Sequence, residues 1–364
     1  MSQKIEKDAL RLLAKLGEAH GASGNEDSVR SIFHEEVGVD VYSDKTGNVF
    51  YKKQGTADGP RVMLTAHMDE VGFVVQSVTK SGLIKFIPLG GWWSHTLLAQ
   101  RVRIRTSDGN EVIGVIGAKP PHLLGKNERE RLVNIEDMFI DVGAANKEEV
   151  FSRFKICLGD PIVPDSPFTR MLDPNYLLCK GFDNRVGVAL VIQAIDILKE
   201  YEHAGTVYAV GTVQEEVGVR GAQTAAFGAN PDLAIVLEGS PADDLPAVGE
   251  DERQGVLGRG VQIRIMDPSA IMNRKLTQYL IDLAGALQIP YQVAVRGSGG
   301  TDARAIQLHG AGVPTAVLGV PARYIHTHNC IIHLEDYLST LKLVVEFLRS
   351  LDMERVNQFT AFVE

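Results

Sequence analysis

The spacing of apolar positions changes twice along this chain, and the changes divide it into a helical start, a β-rich middle and a longer α/β remainder. KIEKDALRLLAKLGEAHG carries a helical stripe with Leu10, Leu12, Leu13 and Leu16 inward. GASGNEDSVRSIF predicts a second helix, with Ser23 or Asn25 as its cap and Val29, Ile32 and Phe33 facing the core. Two short strands about a polar turn at Asp44 to Asn48 come next, then a buried strand at Val62 to Thr65. From Val71 to Val163 the pattern is one of short alternating strands between turn signals. An Asp108-Gly109 hairpin joins Val102 to Arg105 with Val112 to Ile116, and no long helix interrupts the block. The later stretch predicts a helix over Val186 to Leu198 that is apolar on nearly every face, and strands over Val207 to Val213 and Leu233 to Leu237. A strand at Val261 to Met266, a helix near Arg274 to Leu287 and a strand at Tyr291 to Val295 follow. Thr301 and Asp302 cap a helix over Ala303 to Gln307, and a strand runs from Pro314 to Gly319. A closing helix turns Leu338, Leu341, Val344, Val345 and Leu348 inward. The fold class this predicts is α/β: a mixed sheet between helices, with a small β-barrel-like domain inserted. The boundaries are residues 71–163 for the insert and 1–70 with 164–364 for the larger domain.

Composition adds exclusions. The 364 residues suffice for two domains, and 45% hydrophobic with 23% charged residues is an ordinary globular balance. A formal charge of -9 argues against nucleic acid or an anionic membrane as partner, since both need a positive field. The first residues lack the apolar core of a signal peptide, and no apolar run reaches membrane-spanning length. Three cysteines, Cys157, Cys179 and Cys330, show no CxxC spacing and read as reduced thiols, so the expected compartment is the cytoplasm.

Candidate chemistry gathers where buried strands stop. TVYAVGTVQEEVGVRGA ends on adjacent acids, Glu215 and Glu216. Alone, such a pair reads as two solvated surface acids; at the end of an apolar strand, the two carboxylates repel and resist desolvation unless something positive holds them. The strand at Val62 to Thr65 runs into His67 and Asp69, where open α/β sheets place ligands. Leu233 to Leu237 runs into Glu238, and the last strand delivers His326 and His328. Asp183 stands at the amino end of the buried helix, a place where it could simply be a cap. His95, His122 and Lys119 read as peripheral, and Asp243 and Asp244 as facing water. Together His67, Asp183, Glu216, Glu238 and His326 offer imidazole and carboxylate without thiolate, a ligand set for zinc, cobalt or manganese. One bridging carboxylate can hold two such ions about 3.5 to 4 Å apart. Asp69 can then fix the tautomer of His67, and Glu215, left unligated, can deprotonate a water whose pKa falls to roughly 7 on zinc.

TAHMDEVGF, KGFDNRVG, VQEEVGVRGA, the GGTDA turn and PARYIHT occur in that order, and with them the chain resembles the tetrahedral (TET) aminopeptidases. These are dinuclear metallopeptidases of the MH clan, related to glutamyl aminopeptidase. The likeness runs from the GASG segment to the final helix. It implies an aminopeptidase catalytic domain and a dimerisation domain at the inserted β block. It also implies two divalent ions per subunit, zinc or cobalt first and manganese third. His67 and Glu238 would complete one site and Glu216 and His326 the other, with Asp183 bridging, Glu215 as general base and Asp69 as orienting acid. Many relatives carry Asp where this chain has Glu238. The family removes amino-terminal residues from peptides, and many members assemble from dimers into dodecamers. The competing readings are a deacylase or carboxypeptidase of the same clan, and a non-catalytic oligomeric scaffold.

Overall fold

The computed structural model describes residues 3–55 and 59–362. Its framework is a twelve-stranded mixed sheet whose centre is parallel: Thr206–Thr212 lies beside Arg61–His67, which lies beside Leu233–Pro241, which lies beside Thr315–Arg323. These four strands are buried over nearly their whole length, as a sheet covered on both faces requires. Register decides what meets at their carboxyl ends. Thr212 pairs with His67, and Glu238 with Gly319, so four strand ends open on one edge of the sheet.

The apolar helix Phe182–Leu198 crosses one face of the sheet and packs there with Gln3–Glu18, Asp27–Val37 and Leu334–Ser350 around the main core. Arg220–Ala229 and Ala303–Ile306 cover the other face through small side chains such as Ala222, Ala225, Ala226 and Ala303. Gly187 lets the crossing helix lie close to the sheet, since a Cβ there would stand 2.6 Å from the Leu237 carbonyl oxygen.

Six strands between Gly72 and Pro164 close into an antiparallel barrel. Alternate residues, among them Phe73, Val75, Val102, Ile104, Ile116 and Ile140, fill its interior. The Asp108-Gly109 hairpin is present, pairing Arg101–Arg105 with Glu111–Gly117. Among the described residues, no helix is long and apolar enough to cross a membrane.

Two capping expectations are corrected. The second helix begins at Asp27 with Glu26 at its cap position, and no side chain closes it. The Ser23 hydroxyl instead donates to Asp69 at 2.6 Å, where a buried carboxylate is the stronger acceptor. At the short helix Ala303–Ile306, Thr301 accepts from the Ala303 amide, whereas Asp302 turns away and takes the Thr212 hydroxyl.

Candidate functional site

Each strand end brings one piece of chemistry to the open edge. His67 is the last residue of its strand and 2% exposed. Its Nδ1 lies 3.1 Å from the Asp69 carbonyl oxygen, an acceptor that places the ring proton there and leaves Nε2 facing the cavity. That Nε2 stands 3.3 Å from Asp183, 3.6 Å from Glu238 and 3.9 Å from Glu215. On the far side, His326 follows the strand Thr315–Arg323, and its Nδ1 lies 3.0 Å from the carbonyl of Gly91 in the loop after the barrel strand Ile84–Leu89. Its Nε2 stands 3.4 Å from the other oxygen of Asp183 and 3.3 Å from Glu216.

Asp183 is therefore not a helix cap. It sits at the amino end of the crossing helix with non-helical backbone angles, and its two oxygens face two different imidazoles. Ligand atoms of His67, Asp183 and Glu238 lie within 4.8 Å of one another, as do those of Asp183, Glu216 and His326. A third group within the same limit, His67 with Glu215 and Glu216, overlaps both.

The electrostatics call for cations. Burial raises the pKa of Glu215 well above the usual carboxyl range, and Glu216, Asp302 and Glu238 push the same way. Burial also lifts Glu238 to about 7 and Asp302 to about 6. Although burial opposes the charged form of each histidine, Asp183 and its neighbouring acids hold His67 well above its ordinary value and His326 at about 11. Glu216 Oε1, Glu238 Oε1 and Asp302 Oδ1 are buried with no hydrogen-bond partner. Buried carboxylates in excess, with oxygens left over beside the ligand groups of Glu216 and Glu238, fit divalent ions.

The Asp69 carboxylate lies 3.4 Å from His67 Nδ1 through Oδ1, close enough to share the ring with the carbonyl of the same residue. The backbone carbonyl is nearer to that ring, and the carboxylate accepts Ser23 Oγ at 2.6 Å and the amides of Glu215 and Glu216 at 3.0 and 3.1 Å. It thereby fixes the turn that carries both glutamates. His328 is buried against the Trp92 ring and lies outside the ligand groups. Asp243 and Asp244, expected to face water, pair instead with Arg296 at 2.7 Å and Arg323 at 2.6 Å. The cause is the fold: both arginines arrive from strands distant in sequence.

Several residues escaped sequence reading. Asn184 donates to Glu238 at 2.8 Å and accepts from the Gly187 and Gly239 amides, so it orients that glutamate. Its signal was a polar Asn-Arg pair interrupting an otherwise apolar helix start. The cavity over the cluster, about 320 Å³, is also walled by Arg264, Arg296, Ser298 and Thr301. The two arginines had no local signal.

A model of the M42 glutamyl aminopeptidase family matches residues 47–343. A glutamyl aminopeptidase of Lactococcus lactis subsp. cremoris is 35% identical over 94% of this chain and 96% of its own. A lysyl aminopeptidase of Pyrococcus furiosus is 34% identical over 93% of this chain and 96% of its own. Among solved structures, a TET aminopeptidase from a marine-sediment thaumarchaeon is 41% identical with a TM-score of 0.92, covering 97% of this chain and 99% of that one. The TET1 peptidase of Pyrococcus horikoshii, 32% identical with a TM-score of 0.84 over 94% of this chain and 100% of its own, can assemble into a tetrahedron or a large octahedral shell.

Proposed function

The chain belongs to the M42 glutamyl aminopeptidase family of hydrolases, and from that premise we propose that it is a two-metal aminopeptidase that removes the first residue of short peptides. The observation that carries the reading is the Asp183 carboxylate between two imidazoles, with the Glu215 carboxylate beside them and outside both groups that share Asp183. His67, Glu238 and Asp183 would hold one ion, and His326, Glu216 and Asp183 the other. Divalent ions held there, zinc or cobalt first and manganese third, supply the charge that polarises a peptide carbonyl and brings the pKa of water toward about 7.

The remaining steps fall to the chain itself. Glu215, beside the ligand groups, would take a proton from the attacking water and give it to the leaving amine. Asp69 holds the Glu215 and Glu216 amides and so keeps the base beside the ligand groups. Asn184 does the same for Glu238.

Relatives named for glutamyl and for lysyl residues are about equally similar, so the cavity wall decides the first residue. Arg264 and Arg296 line it, each braced from behind by an aspartate, Asp267 or Asp243. Guanidinium groups held this way favour an acidic first side chain. We assign the barrel to dimerisation because its side of the molecule exposes Ile87, Trp93 and Leu132 around one groove, an apolar surface of the kind a partner covers. The compartment proposed is the cytoplasm.

A panel of aminoacyl anilides, assayed with zinc, cobalt and manganese, tests the reading. Substrates with a free α-amino group should be cleaved and their N-acetyl forms should not; cleavage of the acetylated forms would make the chain a deacylase. Glu215→Gln should keep its metal content and lose at least about a hundredfold in turnover, the scale of general-base loss. Full activity in that variant would remove Glu215 from its role.

A further inference from the structure

Behind the ligand cluster lies a second group of charges that none of the chemistry above uses. Lys180 and Arg185 are 0% exposed and Glu70 is 1% exposed. Lys180 Nζ donates to Glu70 at 2.6 and 2.8 Å and to the Ala19 carbonyl at 2.8 Å. Arg185 donates from Nε to the Met68 carbonyl at 2.9 Å, and from Nη2 to Glu70 at 3.0 Å and the Gly21 carbonyl at 3.2 Å. One carboxylate thus faces two cations, a net buried positive charge, and Arg185 Nη1 has no partner. Such an arrangement stabilises a fold poorly, since apolar side chains of similar volume generally do as well or better.

Its connections point elsewhere. The carbonyl of Met68 and the side chain of Glu70 flank Asp69, directly after His67. Lys180 and Arg185 flank Asp183. The third segment, Ala19 to Ser23, ends in the hydroxyl that Asp69 accepts, and Asp69 in turn holds the amides of Glu215 and Glu216. The Glu70 amide also donates to the Gly21 carbonyl at 3.0 Å, closing the same loop. Segments distant in sequence, each carrying or steering a candidate ligand, are therefore clamped at one place.

We propose that Lys180, Glu70 and Arg185 are positioning residues for the metal centre: they set the spacing between the His67 strand end and Asp183, and hence the affinity for divalent ions, without touching the ions. The proposal rests on the two-metal reading above. A bystander role makes the opposite prediction, because a net positive charge behind the site repels incoming cations and its removal would tighten their binding. A purely structural role predicts lower stability with unchanged metal affinity.

The test is competition between the full chain and a chromophoric chelator for zinc, with the visible spectrum of the cobalt-loaded form alongside. Lys180→Met should weaken at least one zinc-binding step by about tenfold or more and shift the cobalt bands. Gly21→Ala gives a second, charge-neutral test, because its Cβ would stand 2.5 Å from Arg185 Nη2 and must displace that guanidinium. It should weaken zinc binding in the same direction, and it decides the matter if Lys180→Met does not fold. Parent-like affinity and cobalt spectrum in a folded variant, whatever its unfolding temperature, would overturn the proposal, as would tighter binding. A parent chain that takes up no zinc would overturn the two-metal reading itself, and this inference with it.

Discussion

Arg264, on the wall of the cavity over the cluster, is 4% exposed, donates to Asp267 at 3.1 Å and to Ser240 Oγ at 3.0 Å, and keeps a buried Nε without a partner. A guanidinium so braced loses little freedom when it meets a carboxylate, and hydrogen bonds to charged groups contribute about 1.5 to 3 kcal/mol. Arg264→Met should lower kcat/KM for a glutamyl anilide by roughly 10- to 100-fold relative to a leucyl anilide. The ratio is the proper readout, because loss of Arg264 leaves Asp267 buried without its cation and lowers stability for every substrate alike. An unchanged ratio would take Arg264 out of specificity. At this scale the candidate site residues were legible in sequence: His67, Glu215, Glu216 and Glu238 each end or follow an apolar strand, and polar groups placed so are conspicuous. Arg264, Glu70 and Lys180 were not, since charged residues are common and nothing local marks one as buried. Glu70 and Lys180 meet across a separation of 110 residues.

Elements meet through a few contacts whose loss can be measured. The first two helices are joined where Glu36 accepts from Arg11 at 2.6 Å and Lys15 at 2.9 Å. The Arg11 hydrogen bond, against the opposing effect of burial and with help from Lys15, holds the Glu36 carboxyl at about 2, below its ordinary 4.5. A depressed folded pKa means the stabilisation is present above the unfolded value and is lost as pH falls through the folded one. Glu36→Gln should unfold more easily than the parent near pH 7, and the gap should close as pH falls from about 5 toward 2. Because Arg11 is half exposed, the gap should be small, about 1 kcal/mol or less, in urea titrations. A gap independent of pH would refute the assignment. The packing of the crossing helix is less forgiving. A Cβ at Gly187 would meet Asn184 Oδ1 at 2.3 Å and the Leu237 carbonyl at 2.6 Å, so Gly187→Ala should cost about 1 to 3 kcal/mol. It should also lower activity, since Asn184 orients Glu238; a variant with parent stability and rate would show that the helix can move away freely.

For the molecule as a whole, the barrel and the sheet domain share the site: the loop after a barrel strand supplies the Gly91 carbonyl that His326 faces. The barrel also carries Trp93, 63% exposed, beside the groove assigned to dimerisation. Trp93→Glu should shift the particle mass by light scattering toward smaller species while far-UV circular dichroism stays unchanged. Unaltered mass would place the contact on another face.

Apolar period and the residues beside it determined the kinds of element, the α/β class, the β-rich middle and the candidate ligands at the strand ends, because each depends on residues close in sequence. The tertiary structure alone decided which groups face one another. Asp183 lies between His67 and His326, the Asp69 carboxylate holds the turn of Glu215 and Glu216 as well as lying beside the His67 ring, and two arginines wall the cavity, because strand register and helix approach bring segments distant in sequence to one edge. Register and helix approach are set by packing summed over the whole core, and no single stretch of sequence carries that sum.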